Sequence, residues 1–172
     1  MIMTTEYIED KDHYEKVIER IRGTKSMLWI GTADIKDLHI AKGKESEPFL
    51  GLLSRLLKAG VGIRLIHAKE PGPAFREDFD RYKNLSTSLE RMLCPRVHFK
   101  IIIDGQWTYI GSANLTGAGM GMKSTNRRNF EAGILTNDPH LVEYAREHFD
   151  SVWRGEHCKK CGRPQYCTDP IK

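Results

Sequence analysis

Residues 97–114 read Val97-His98-Phe99-Lys100-Ile101-Ile102-Ile103-Asp104-Gly105-Gln106-Trp107-Thr108-Tyr109-Ile110-Gly111-Ser112-Ala113-Asn114. The first half alternates, so that in a strand His98 and Lys100 project from one face while Val97, Phe99 and Ile101 line the other. Asp104-Gly105 is a strong two-residue hairpin signal with β-branched and aromatic residues on both sides. With those two residues as the turn, Ile103 pairs with Gln106, and counting outward sets His98 opposite Gly111. Ser112 and Asn114 then emerge beside the start of the first strand. An imidazole, an ammonium and two small hydrogen-bonding side chains converge on one volume, a combination that suits an oxyanion and phosphate best.

His98-x-Lys100, Asp104 and Gly111-Ser112-x-Asn114 together resemble the HKD motif of the phospholipase D superfamily. The resemblance extends over residues 26–153. One spacing departs from the family pattern. Only Ile101, Ile102 and Ile103 separate Lys100 from Asp104, where the family has four residues. In a regular strand that deletion turns Asp104 onto the His98 face, so Asp104 ranks last among the candidate catalytic residues His98, Lys100, Asn114, Ser112, Glu131 and Asp104.

The resemblance implies an α/β fold with a mixed, largely parallel sheet flanked by helices on both faces. It also implies metal-independent phosphodiester chemistry through a phosphohistidine. The family's Glu downstream of the motif hydrogen-bonds the catalytic His; Glu131, early in the apolar run 129–135, resembles it and would orient His98 through Nδ1. The chain carries one H-x-K and no internal repeat. The family's solution for short chains is a homodimer in which two motifs face each other across a twofold axis.

A chain of 172 residues is enough for one domain with a proper core. The formal charge of +4 and pI of about 8.9 are compatible with a polyanionic partner. No apolar run approaches the ~20 residues that span a bilayer. The first ten residues lack the basic and apolar blocks of a signal peptide. A cytoplasmic location is therefore expected.

Upstream of the motif, Tyr14, Val17, Ile18 and Ile21 recur at helical spacing and Gly23 ends the run. A short buried strand at 27–30 follows, then a polar, loop-like segment to Glu47. Its Lys36, His39, Lys42 and Lys44 are candidate substrate contacts, because the family's corresponding loop lies near the active site. Pro48 opens an amphipathic helix with a stripe of Leu50, Leu53, Leu56 and Leu57, stopped by Gly60. A strand at 62–67 completes a βαβ unit. Residues 75–93 are charged and partly helical.

Downstream, residues 116–128 are rich in Gly and basic side chains. Two phosphate-loop patterns fail there: Met122 separates Gly121 from Lys123 in one, and in the other the third Gly comes a residue early. The segment reads as a flexible rim whose Lys123, Arg127 and Arg128 could grip a nucleic-acid backbone. Asp138-Pro139 then caps a final helix, with Leu141, Tyr144, Ala145, His148, Phe149 and Val152 as its apolar face.

Cys158-Lys159-Lys160-Cys161 and Cys167 form a Cys-rich tail, 156–172, following a catalytic domain of 1–155. A C-x2-C knuckle lets two thiolates share one ion. Cys167 and Cys94 complete a four-thiolate set, with His157 as the alternative fourth ligand. Structural zinc is the leading occupant and an iron–sulfur cluster the other.

These readings give a metal-independent nuclease acting on DNA or RNA as a homodimer. Two alternatives remain: a phospholipase D-type lipid hydrolase, for which Met120 and Met122 would supply an apolar lip, and a non-catalytic nucleic-acid-binding module.

Overall fold

The computed structural model describes residues 2–36 and 38–168; residues 1, 37 and 169–172, parts of the expected domain and tail, lie outside the described residues. A seven-stranded sheet runs in the spatial order Thr5–Glu9 (β1), Ala132–Thr136 (β9), Thr108–Gly111 (β8), Lys100–Ile103 (β7), Met27–Thr32 (β2), Gly62–His67 (β5) and Glu90–Leu93 (β6). The run Lys100-Ile101-Ile102-Ile103 forms the central strand because it is apolar on both sides. Ile102 packs into one cluster, while Ile101 and Ile103 pack into another across the sheet.

The expected α/β architecture with a mixed sheet and helices on both faces is present. Its parallel part is the β2–β5–β6 half, and the β1–β9, β9–β8, β8–β7 and β7–β2 pairings are antiparallel. The βαβ unit read from the sequence is β2, the helix Phe49–Lys58 (α2) and β5. Leu50, Leu53 and Leu56 of α2 are buried, and Gly60 ends it at φ +87°. Val17, Ile18 and Ile21 pack on the same face, from a helical segment that is π-wound over His13–Ile18 and continues as Glu19–Gly23 (α1). The charged stretch after Pro71 forms Pro73–Arg81 (α3), Lys83–Ser88 (α4) and then β6.

The opposite face is covered by Pro139–Trp153 (α5), whose first turn is capped by Asp138 accepting from the His140 N–H. Its buried side chains are Val142, Ala145 and Phe149. The helix is therefore rotated from the expected stripe, and Tyr144 is 68% exposed. Phe149 sets this rotation by stacking between Trp29 and Trp153. Burying such a ring contributes roughly 1.5–3 kcal/mol.

Three elements escape the sequence reading, one of them β6, which lies in a stretch expected to be charged and partly helical. The segment expected to be a loop pairs His39–Lys42 (β3) with Glu45–Pro48 (β4) in a separate hairpin. β1 buries only Ile8, too weak a pattern to mark a strand.

The central hairpin is present with a different register. Ile103 pairs with Thr108 and Lys100 with Gly111, so the turn contains four residues, 104–107, instead of two. The Asp104 carboxylate accepts from the N–H groups of Gln106 (2.9 Å) and Trp107 (3.0 Å), while Trp107 turns its ring into the core. The consequence falls at the other end. His98 lies two residues outside the ladder, and Lys100 takes the place opposite Gly111.

Candidate active site

His98 is exposed and Lys100 is 7% exposed, although both leave the same segment. The residues between and before them explain the difference. Val97 is buried, and Phe99 packs edge-on against His148 (5.1 Å between centroids) and near Phe149 (6.2 Å). Phe99 also fills the space over Gly31, where a Cβ would lie 2.1 Å from its ring. With both apolar neighbours fixed inward, the imidazole is displayed outward.

The Lys100 Nζ donates to the His98 carbonyl at 2.8 Å and lies 3.3 Å from His98 Nδ1. An ammonium can only donate, so this contact favours the imidazole with its lone pair at Nδ1 and its proton at Nε2. Burial lowers the Lys100 pKa from the ordinary value, and the charge of Glu131 pulls it back up.

Ser112, Glu131 and Asn129 form a linked group just beyond the end of β8 and just before the start of β9. Ser112 Oγ donates to Glu131 Oε2 and accepts from the Ala132 N–H at 3.0 Å; Asn129 Nδ2 donates to Glu131 Oε1 at 3.0 Å. This corrects the expected Glu131–His98 pair. Here the Glu131 carboxylate is engaged by Ser112 and Asn129, and Nδ1 of His98 faces Lys100. Asn129 was not read as a site residue; its signal was its place two residues before Glu131, on the same face of an extended segment.

Asn114 serves a second loop. Its Oδ1 accepts from the Asp34 N–H at 3.0 Å and lies 3.3 Å from Thr32 Oγ1, leaving the amide NH2 as its donor end. Lys36 donates its backbone N–H to Leu115, so the loop after β2 docks on the motif as expected. Among the four candidate loop contacts, Lys36 takes part in this docking through its backbone. Lys42 pairs with Glu47 within the β3–β4 hairpin, whose turn carries Lys44, and His39 opens β3.

Gly111 is required by its surroundings: a Cβ there would lie 2.2 Å from the Tyr109 hydroxyl. Tyr109 is fully buried, accepts from the Ala113 N–H, and meets the edge of buried His13 at 5.5 Å. Burial pushes the Tyr109 pKa upward and the His13 pKa downward, so both are neutral supports beneath the motif.

Three expectations are corrected. Asp104 closes the far turn, about 13 Å along the strand from Lys100, and burial pushes its pKa up against the two N–H groups it accepts. The 116–128 segment is not an open flexible rim. Successive turns bond Met120 to Thr116, Met122 to Gly117 and Arg127 to Ser124, and Gly121 at φ +69° presses on the Asp10 carbonyl. Met120 is fully buried and Met122 packs against the core, so they form no apolar lip. On this loop Lys123 and Arg127 are exposed, whereas the Arg128 side chain is 12% exposed and pairs with Asp10 at 3.7 Å. The loop also carries Phe130, 97% exposed and adjacent to Glu131, which the sequence reading passed over.

Cys94, Cys158, Cys161 and Cys167 all line one cavity of about 280 Å³ on the α5 side of Phe99, and none is in a disulfide. Among the described residues, no three His, Cys, Asp or Glu side chains stand close enough as placed to hold a metal ion. None of the described helices is long and apolar enough to cross a membrane.

A family profile described as "Cardiolipin synthase, PLD-like domain" matches residues 17–153. No curated protein matches the sequence. Among solved structures, NucT from Helicobacter pylori is similar at TM-score 0.65 and 12% identity, over 87% of this chain and 95% of that one. Nuc from Salmonella typhimurium, a phospholipase D family member, is similar at TM-score 0.65 and 18% identity, over 88% and 95%. TrmBL2, described as an archaeal chromatin protein with a novel mode of DNA binding, is similar at TM-score 0.59 and 12% identity, over 87% and 52%.

Proposed function

Because the chain belongs to the phospholipase D-like family, we propose that it is a phosphodiesterase that cleaves nucleic acid as a twofold dimer, without a catalytic metal. The observation that carries this reading is the buried Lys100 ammonium held against an outward-facing His98. A phosphodiester oxygen entering beside His98 would meet that cation, with Asn114 and Ser112 as further donors.

In the proposed cycle the phosphate draws Lys100 toward a non-bridging oxygen and relieves Nδ1. The imidazole proton then moves to Nδ1, and Nε2 attacks phosphorus to form a P–N bond. The leaving oxygen takes its proton from His98 of a second copy, which enters the cycle as the imidazolium, protonated on both ring nitrogens, and leaves this step as the neutral imidazole. That imidazole next removes a proton from water, the water oxygen displaces Nε2 from phosphorus, and His98 is restored. One motif supplies one imidazole, so the second must come from another chain. Two buried ammonium groups would supply the charge stabilisation that other nucleases take from divalent ions.

Nucleic acid is favoured over lipid by three features of the rim. Lys123 and Arg127 are exposed, Phe130 presents an open ring to stack on a base, and Met120 is withdrawn into the core. A cytoplasmic location is part of the same proposal, supported by four unbridged cysteines.

The test is incubation of the purified chain, in a chelator, with labelled single- and double-stranded DNA, RNA and phosphatidyl lipids. Cleavage of a nucleic acid is expected, falling about 10³-fold or more in His98→Ala. Cleavage of lipid alone, or undiminished rates in the variant, would overturn the proposal. Tight DNA binding with no cleavage would establish the binding-module reading instead.

A further inference from the structure

The C-terminal tail poses a problem of stability. From residue 154 to 168 no side chain is buried, and only Gly155 and the three cysteines are even half-buried. Yet the tail folds back onto the start of the catalytic segment, with Arg163 Nη1 3.5 Å from the Pro95 carbonyl. Fifteen residues without an apolar core do not hold such a path by burial; segments of this kind need a staple.

The cysteines supply one. The chain has four, and all four line the same cavity of about 280 Å³. Backbone turns hold each of them in place. Cys161 N–H bonds to the Cys158 carbonyl at 3.0 Å, Cys158 N–H to Gly155 at 2.9 Å, and Cys167 N–H to Pro164 at 3.1 Å. Cys94 is tied through its N–H to His67 at the end of β5, at 2.9 Å, and its carbonyl accepts from Val97 at 3.0 Å. Arg96 also lines the cavity, and the Arg163 backbone N–H is directed at Cys161.

We propose that Cys94, Cys158, Cys161 and Cys167 bind one zinc ion, which staples the tail to the segment leading into His98. All four line the one cavity, although among the described residues no three of these side chains are gathered closely enough to share an ion. Zinc–sulfur bonds of about 2.3 Å would draw them inward, and a cavity of this size leaves room for the side chains to turn. Each thiol releases its proton on binding, so four protons leave and a tetrathiolate of net charge −2 remains. Arg96 and Arg163 lie beside that charge, and N–H donors to sulfur are the usual second layer of such a site. Four soft thiolates also suit an iron–sulfur cluster. The half exposure of these cysteines favours a redox-inert ion, which tolerates water at its ligands.

The test uses the full chain and does not depend on any catalytic assay. Metal analysis of protein purified under reducing conditions is expected to give about one zinc per chain. Maleimide labelling of the thiols under native conditions should slow at least tenfold when zinc is added to metal-free protein. Cys158→Ser/Cys161→Ser should lose zinc and become cleavable by protease within 154–168. Should that variant misfold, the labelling experiment on the native chain still decides. Zinc-free protein whose labelling is indifferent to added zinc would overturn the proposal, as would iron with visible absorbance, or thiols already oxidised to disulfides.

Discussion

Lys100 is the residue at which stability and the proposed chemistry pull apart. The residue is 7% exposed, burial lowers its pKa, and its near polar contacts are the carbonyl and ring of His98. A charge desolvated to this degree costs folding energy. Lys100→Met should abolish phosphodiester cleavage while leaving the thermal midpoint equal to or above wild type. The sign of its pH dependence follows. A lysine whose folded pKa lies below 10.5 destabilises the fold fully below that folded value, and the penalty is relieved as pH rises toward 10.5. The stability gap between Lys100→Met and wild type should therefore narrow on the alkaline side in a denaturant series. Asp104 predicts the opposite pattern. Its two turn hydrogen bonds make Asp104→Ala cost about 1–2 kcal/mol, with turnover within about twofold of wild type. A large loss of kcat at unchanged stability would return Asp104 to the site.

At the scale of elements, the β7–β8 hairpin and the strand beside it place the motif. The short Lys100-to-Asp104 spacing read from the sequence corresponds to a four-residue turn in which Asp104 caps the chain reversal. That register moves His98 off the ladder, so its position depends on Phe99 and on whatever Phe99 packs against. Gly31 of β2 is the critical contact, because a Cβ there would lie 2.1 Å from the Phe99 ring. Gly31→Ala should cost about 1–3 kcal/mol through this overpacking. It should also reduce cleavage at least about tenfold, with Phe99 and His98 resonances shifted in NMR spectra.

For the whole molecule, the proposed shared site makes a quantitative statement about assembly. If each site needs His98 from two chains, a His98→Ala subunit inactivates any wild-type partner it takes. With ninefold excess of variant and free exchange, cleavage per wild-type subunit should fall about tenfold. A rate proportional to wild-type protein alone would mean that each chain works independently. The cavity behind Phe99 belongs to the same scale. It joins the mid-chain segment 94–99 to α5 and the C-terminal tail, and its four cysteines sit within reach of the segment that carries His98.

The sequence by itself determined the hairpin, the βαβ unit, α5 and the family. Each rests on local signals: alternation around Lys100, leucine spacing in α2, an Asp-Pro cap, and a motif whose spacing is read along one segment. His98, Lys100, Ser112, Asn114 and Glu131 could be named as candidates for the same reason. Tertiary structure alone decided how they are paired. Register depends on which side chain closes a turn and where Trp107 is buried, and neither is encoded in the alternation itself. Glu131 found Ser112 and Asn129, and Lys100 found His98, because the strands brought those groups within hydrogen-bond reach. Met120 left the rim and Arg128 turned to Asp10 because the loop folds into successive turns. Periodicity reports which face a residue takes; the partner it meets there is fixed only when distant segments pack.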